Sequence, residues 1–185
     1  MVELSEKLTV IFHNVNDWLK YAEAKNAILL AFAGAGLTAN VTLLTVAQNL
    51  PASLRFGLII STSLLCLCAF LCSLSFLPKT DLEKILWIRT SPSRRLALQS
   101  NDDNFYYFGH LRKYTPDELL GAINKLYLGD IIQLPYEKEC RDIAAQITVN
   151  SEIAFLKFRF FTYSSYLLAL SIGAIPIIVL VHLIL

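Results

Sequence analysis

The sequence predicts an all-α integral membrane protein: three transmembrane helices, an N-terminal hairpin plus a C-terminal span, with a small helical cytoplasmic region between them. Three observations predict this class. Hydrophobic residues make up 55% of the chain and charged residues 17%, and the mean hydropathy is +0.52. Residues 26–54, 56–77 and 160–185 form three runs without a single Asp, Glu, Lys or Arg. A helix rises about 1.5 Å per residue, so roughly 20 apolar residues cross a hydrocarbon core about 30 Å thick, and each run is long enough. Finally, 12 of the 16 Lys and Arg fall in residues 78–159, a partition that the net charge of +1 conceals.

The elements follow in order. In residues 1–25, Ile11, Val15, Trp18, Leu19 and Ala22 recur at spacings of three and four, one apolar face of a helix. This predicts an amphipathic interfacial helix leading into the first span, 26–48. The mixed charge of these 25 residues does not fit a cleaved signal peptide, whose apolar region follows a short basic start. In "QNLPASLR", Pro51 is expected to end the first helix, and so short a loop makes an antiparallel hairpin with the second span, 56–77. Cys66, Cys68 and Cys72 lie in that span with no His, Asp or Glu beside them. They read as small apolar filler rather than metal ligands, and no metal or other cofactor is expected. Cys140 reads as a free thiol in a reducing compartment.

Residues 78–159 read as the cytoplasmic helical region. "KTDLEKILWIR" continues helically out of the second span, and "TSPSRRLALQSNDDN" is a polar, mobile loop. Thr115 and Glu118 form a capping box with Pro116 at the first helical position, so a helix runs over 117–127 and stops near Gly129. The last helix starts near Tyr136, and neither Pro nor Gly interrupts it between Pro135 and Gly173. It therefore runs unbroken into the third span, 160–185. Lys79, Lys84 and Arg89 follow the second span, and Lys157 and Arg159 precede the third. Basic residues near span ends mark the cytoplasmic side, which places the N-terminus inside and the C-terminus outside.

Phosphate-binding glycine loops, HExxH, CxxC and GxSxG are all absent, and His13, His110 and His182 are scattered, so no enzyme is expected. Asp142, Gln146 and Asn150 share one face of the last helix, beside Ile143, Ile147, Ala154 and Phe158. The pattern fits a packed interface with hydrogen bonds across it, or a solvated stripe. Tyr107, Phe108, Arg112, Lys113 and Tyr114 combine aromatic faces with cations, as a nucleotide pocket does. The same composition suits a membrane boundary or packing beneath helices. Glu23, between Lys20 and Lys25, needs a partner at this depth: Lys20 on its own helix, or Lys157 or Arg159 before the third span.

Several of these elements together resemble one family. "WLKYAEAK" (Trp18, Lys20, Tyr21, Ala22, Glu23, Lys25) enters the first span. Phe108 and Gly109 follow, then Tyr114, Pro116 and Glu118, then Gln146, Asn150, Ser151, Ile153, Ala154 and Lys157 ahead of the final span. In order and spacing they resemble the Pycsar effector family of bacterial transmembrane proteins over nearly the whole chain; His110 departs from the acid that the family pattern leads one to expect. The resemblance implies an antiphage effector of the bacterial inner membrane. A co-encoded nucleotide cyclase would supply a cyclic nucleotide, a cyclic pyrimidine mononucleotide being favoured. The effector, as a homo-oligomer, would damage the membrane and abort the infection, with no nucleic acid polymer as partner. It would make 78–159 the sensor, with Tyr107, Phe108, Arg112, Lys113 and Tyr114 as ligand contacts. Glu23, Lys25, Asp142, Gln146, Asn150 and Lys157 would be the coupling residues. Thr38, Asn40, Thr42 and Thr45 would meet across protomers. The alternatives are a constitutive membrane scaffold or a small pore-forming subunit without a nucleotide ligand. No span carries an acid or base in its middle, and Pro176 is the one breaker deep within a span, which weighs against ion-coupled transport.

Overall fold

A computed structural model of the chain describes residues 2–47, 49–77, 99–132 and 134–184. All regular structure among them is helical: α1 (Val2–Val46), α2 (Ala52–Leu74), the single turn α3 (Phe108–Leu111), α4 (Pro116–Tyr127) and α5 (Lys138–Ile184). The helix expected over "KTDLEKILWIR" lies outside the described residues. The chain divides into two compact units, Met1–Ala22 with Pro78–Lys157, and Glu23–Leu77 with Phe158–Leu185. Helices α1 and α5 each contribute to both.

The second unit holds the membrane-spanning segments. Helices α1, α2 and α5 are each long and apolar enough to cross a bilayer. Antiparallel pairing of α1 with α2 follows from its contacts: Asn40 Nδ2 donates to Ser61 Oγ at 3.0 Å, and Gly36 lies against Leu65. Leu29, Ala33, Leu65, Cys68 and Cys72 form the centre, with Phe161, Leu167 and Leu168 of α5 packed on it. Cys68 Sγ donates to Ser164 O at 3.3 Å, while Cys66 of the same helix is exposed, so the three thiols do not converge. Thr38, Thr42 and Thr45 bond carbonyls of their own helix, at 3.0, 2.8 and 2.9 Å. Asn40, grouped with them from sequence as a contact between protomers, turns inward instead, because an amide in an apolar bundle is costly until paired.

Pro51 does not end α1, which stops at Val46; it is the N-cap of α2, in extended conformation, and its carbonyl accepts from Arg55 N at 3.0 Å. A proline lacks the N–H that a helix start leaves unpaired, so it is at home there. Gly57, in the second turn of α2, lets α2 approach α5 closely: a Cβ at this position would lie 3.3 Å from Ile175 Cα. Backbone cannot give way as a side-chain tip can. Gly57→Leu should therefore force α2 from α5 and cost about 2 kcal/mol or more by overpacking, with Gly57→Ala costing less. Unfolding of the purified protein in detergent checks this; equal stability of the Leu variant would show that the approach is not tight.

The first unit has a conventional core. Leu4, Leu8, Ile11 and Val15 of α1 are buried with Phe105, Leu111, Leu119, Leu120 and Ile123, and with Cys140, Ala144 and Ile147 of α5. The apolar face of residues 2–22, read from sequence as facing a membrane boundary, is thus covered by protein. A single apolar stripe fits either surface, and Leu4 and Leu8 extend it further toward the N-terminus than the sequence reading did. At about 1.5–3 kcal/mol per large side chain, this burial holds α1 to the core. Helix α4 starts at the predicted capping box: Glu118 N donates to Thr115 Oγ1, and Thr115 N donates to Glu118 Oε2 at 2.8 Å. It stops at the expected place, where Gly129 has φ 68° and buried Asn124 braces the following turn through Asp130 and Ile132.

Candidate functional site

The densest polar cluster among the described residues of the first unit surrounds Asp103. Its side chain is 3% exposed and forms an ion pair with Lys113 Nζ at 2.6 Å. Tyr114 Oη donates to it at 2.9 Å and Ser100 N at 3.1 Å, and His110 Nδ1 lies 3.6 Å away. His110 Nδ1 itself accepts from Asn104 N at 2.9 Å, so this face of the ring is an acceptor. Burial opposes the charge of Asp103, but the bonds from Lys113, Ser100 and Tyr114 outweigh it and hold the carboxyl below its ordinary range. The Tyr114 hydroxyl is pushed far up, first by burial and then by the Asp103 carboxylate. The cluster is thus a charged, fully engaged anchor. Residues 99–104, expected to be part of a mobile loop, are fixed by it; residues 90–98 lie outside the described residues.

Further contacts tie this loop to its neighbours within the unit. Asn14 Nδ2 of α1 donates to Tyr106 O at 2.6 Å, and Gln99 Nε2 donates to Lys113 O at 3.1 Å and to Glu118 Oε2 at 2.9 Å. Between Gln99–Asn101 and α4 opens a cleft of about 410 Å³. Tyr114 forms one wall, and Glu118, Gly121 and Lys125 form another. These three α4 residues stand at i, i+3 and i+7, on one helix face. A second cavity of about 410 Å³ lies among Phe12, Asp142, Ile143 and Gln146.

The five residues expected to contact a ligand do not converge on one cavity. Tyr114 lines the cleft, but its hydroxyl is committed to Asp103. The Lys113 ammonium is engaged by the same carboxylate. Phe108 is buried, 5.6 Å from Trp18 and 4.7 Å from Tyr107 between ring centroids. Tyr107 lies over Gly109, leaving no room there for a Cβ. The Arg112 guanidinium sits over the Phe155 ring at 3.5 Å. Asp103, Gln99 and Lys125, which the sequence reading did not single out, are the polar groups that organise the anchor and the cleft. The adjacent acids and amides of "QSNDDN" were the available signal, and nothing in that run distinguishes buried Asp103 from exposed Asp102.

Of the residues expected to couple sensor and membrane, Asp142, Gln146, Asn150 and Lys157 belong to the first unit and Glu23 and Lys25 to the second. Asn150 Nδ2 donates to Asn16 Oδ1 at 2.8 Å, joining α5 to α1 within the first unit. Asp142 is exposed and bonds Lys138 at 3.0 Å, and exposed Gln146 lines the second cavity. Lys157 is buried and Glu23 half-buried, each in its own unit. The Lys25 ammonium lies 5.0 Å from the Phe161 ring centroid, within the membrane unit.

Three long apolar helices and a helical unit built on a polar anchor define an all-α membrane protein rather than a soluble domain. The Pycsar effector protein domain matches residues 7–185, which take in all of the second unit and all of the first but its first six residues. The chain belongs to the Pycsar effector family, and its role is that of an antiphage defence effector of a membrane. It is similar to the Pycsar effector protein RsPycTM of a Rhizobium species, at 27% identity over 157 residues, covering 85% of this chain and 83% of the relative. No solved structure matches it.

Proposed function

We propose that this protein is a cyclic-nucleotide-activated effector of the bacterial inner membrane that aborts phage infection. A partner nucleotide cyclase supplies the signal, a cyclic pyrimidine mononucleotide in the favoured reading. The first unit binds it on the cytoplasmic side. The second unit, as a homo-oligomer, impairs the membrane, since three spans in one chain cannot enclose a pore. Residues 1–25 and 78–159 are cytoplasmic, and the C-terminus faces the periplasm. The protein performs no chemistry of its own.

The family match across both units carries this reading. The basic residues flanking the spans support the orientation. Helices α1 and α5 support the coupling, because each has residues in the polar unit and in the membrane unit. A ligand acts only through its different affinities for two arrangements of the protein. Glu23, Lys25, Asp142, Gln146, Asn150 and Lys157, all on these two helices, are the proposed positions where that difference is passed on.

The test is to express the chain with and without its cyclase and follow membrane potential after phage infection. Depolarisation should require both proteins and precede phage release. Absence of depolarisation under every condition would leave the constitutive scaffold, and depolarisation without the cyclase would leave the ligand-free pore.

A further inference from the structure

We infer that the cleft between Gln99–Asn101 and α4 is the binding site for a single cyclic mononucleotide, with Lys125 on its phosphate and Gln99, Ser100 and Asn101 at its base edge. This rests on the cyclic-nucleotide reading above and gives it a place in the chain. Gly121 is the first observation. It stands inside α4, where glycine is costly relative to alanine. Its backbone does not require glycine, and among the described residues an added Cβ would meet nothing within 4 Å. The missing side chain leaves open space, and that space is the cleft.

The chemistry of the walls is the second observation. The hydroxyl of Tyr114 is held by Asp103 at 2.9 Å, and Phe105 packs edge-on at 5.5 Å between centroids, so the ring is fixed in place before any ligand arrives. The ring is only 5% exposed, so it is a fixed floor of the cleft rather than a stacking face. Gln99 spends its amide N–H groups on Lys113 O and Glu118, leaving its carbonyl for the base edge, beside the Asn101 side chain and the Ser100 hydroxyl, whose oxygen also accepts from Asp102 N. Glu118 is the opposing charge in the cleft. Its carboxylate accepts from Thr115 N at 2.8 Å and Gln99 Nε2 at 2.9 Å at the positive end of α4, which offsets it. Lys125 stands two turns further on, roughly 10 Å along the axis, so an anion is drawn to the Lys125 end. A volume of about 410 Å³ lies near the lower end of small-molecule sites and suits one nucleotide.

The experiment is calorimetric titration of the full chain in detergent with cyclic mononucleotides of uracil, cytosine, adenine and guanine, and with linear mononucleotides and inorganic phosphate. Wild type should bind at least one cyclic mononucleotide, and linear mononucleotides and phosphate more weakly. Gly121→Leu, which fills the cleft from a helix position that tolerates it, should weaken binding about 30-fold or more while helix content is unchanged. Lys125→Gln, at an exposed position, should weaken it about tenfold and flatten its salt dependence. If Gly121→Leu does not fold, Lys125→Gln decides alone. Wild-type binding that both variants retain in full overturns this site and leaves the function standing. Equal binding of linear mononucleotides or phosphate overturns the cyclic assignment. Failure of wild type to bind any cyclic mononucleotide overturns the function and the site together.

Discussion

Asp103→Asn should lower the stability of the polar unit by about 3 kcal/mol, the scale set by removing one partner of a buried ion pair. The Lys113 ammonium would then sit 18% exposed beside a neutral amide, its carboxylate gone. An amide also offers one acceptor oxygen where the carboxylate offers two, and its NH₂ group faces the donors Ser100 N and Tyr114 Oη. The effect should depend on pH in a defined direction. The folded carboxyl is held below its ordinary range, so the unfolded state takes up a proton first as pH falls. The stabilisation is therefore complete above about pH 4, the usual carboxylate value, and is lost below it as pH falls through the folded value. Denaturant unfolding in detergent at several pH values checks this. Wild type should lose part of its advantage over Asp103→Asn in the acid window, and Asp102→Asn, at the exposed neighbour, should behave as wild type. Parallel curves for wild type and Asp103→Asn would remove the carboxylate from the account of stability.

Much of the fold was legible because helices announce themselves by period and punctuation. The three charge-free runs predicted the spans, and Thr115, Pro116, Glu118 and Gly129 predicted both ends of α4. The absence of Pro and Gly from 136–172 predicted the long α5. The anchor was not legible, for a physical reason. Asp103 meets Lys113 and Tyr114 across an irregular loop, and no period fixes which side chain of such a loop turns inward. The aromatic and basic residues at 105–114 pointed to the neighbourhood of the anchor but not to the contacts each side chain makes. Phe108 against Trp18 and Arg112 over Phe155 are packing contacts, and a sequence shows the same letters for packing and for recognition. The cleft was invisible for a related reason, since Gly121 and Lys125 look like ordinary surface positions until the loop is laid beside them.

Ile172→Arg should abolish stable insertion of the third span. The residue is 66% exposed on α5, near the centre of 160–184, whereas its neighbour Ser171 is 1% exposed and donates to Leu168 O at 2.7 Å. Position 172 thus points away from the other helices of its own chain, and arginine at mid-span costs about 3 kcal/mol on the insertion scale, on the order of 100-fold. Ile184→Arg, at the 84% exposed end of the same helix, should insert normally, because a long basic side chain there reaches the headgroups. A reporter fused to the C-terminus and active only in the periplasm reads the difference: bright for wild type and Ile184→Arg, dark for Ile172→Arg. A dark wild type would reverse the proposed orientation, and a bright Ile172→Arg would mean that this position is not at mid-bilayer. The same pair separates location from activity. The α5 residues 138–157 that belong to the polar unit are unchanged in both variants. Loss of depolarisation in Ile172→Arg with its retention in Ile184→Arg would therefore assign the membrane damage to the span itself. Equal depolarisation by both would place the damage elsewhere in the chain, whatever the signal that triggers it.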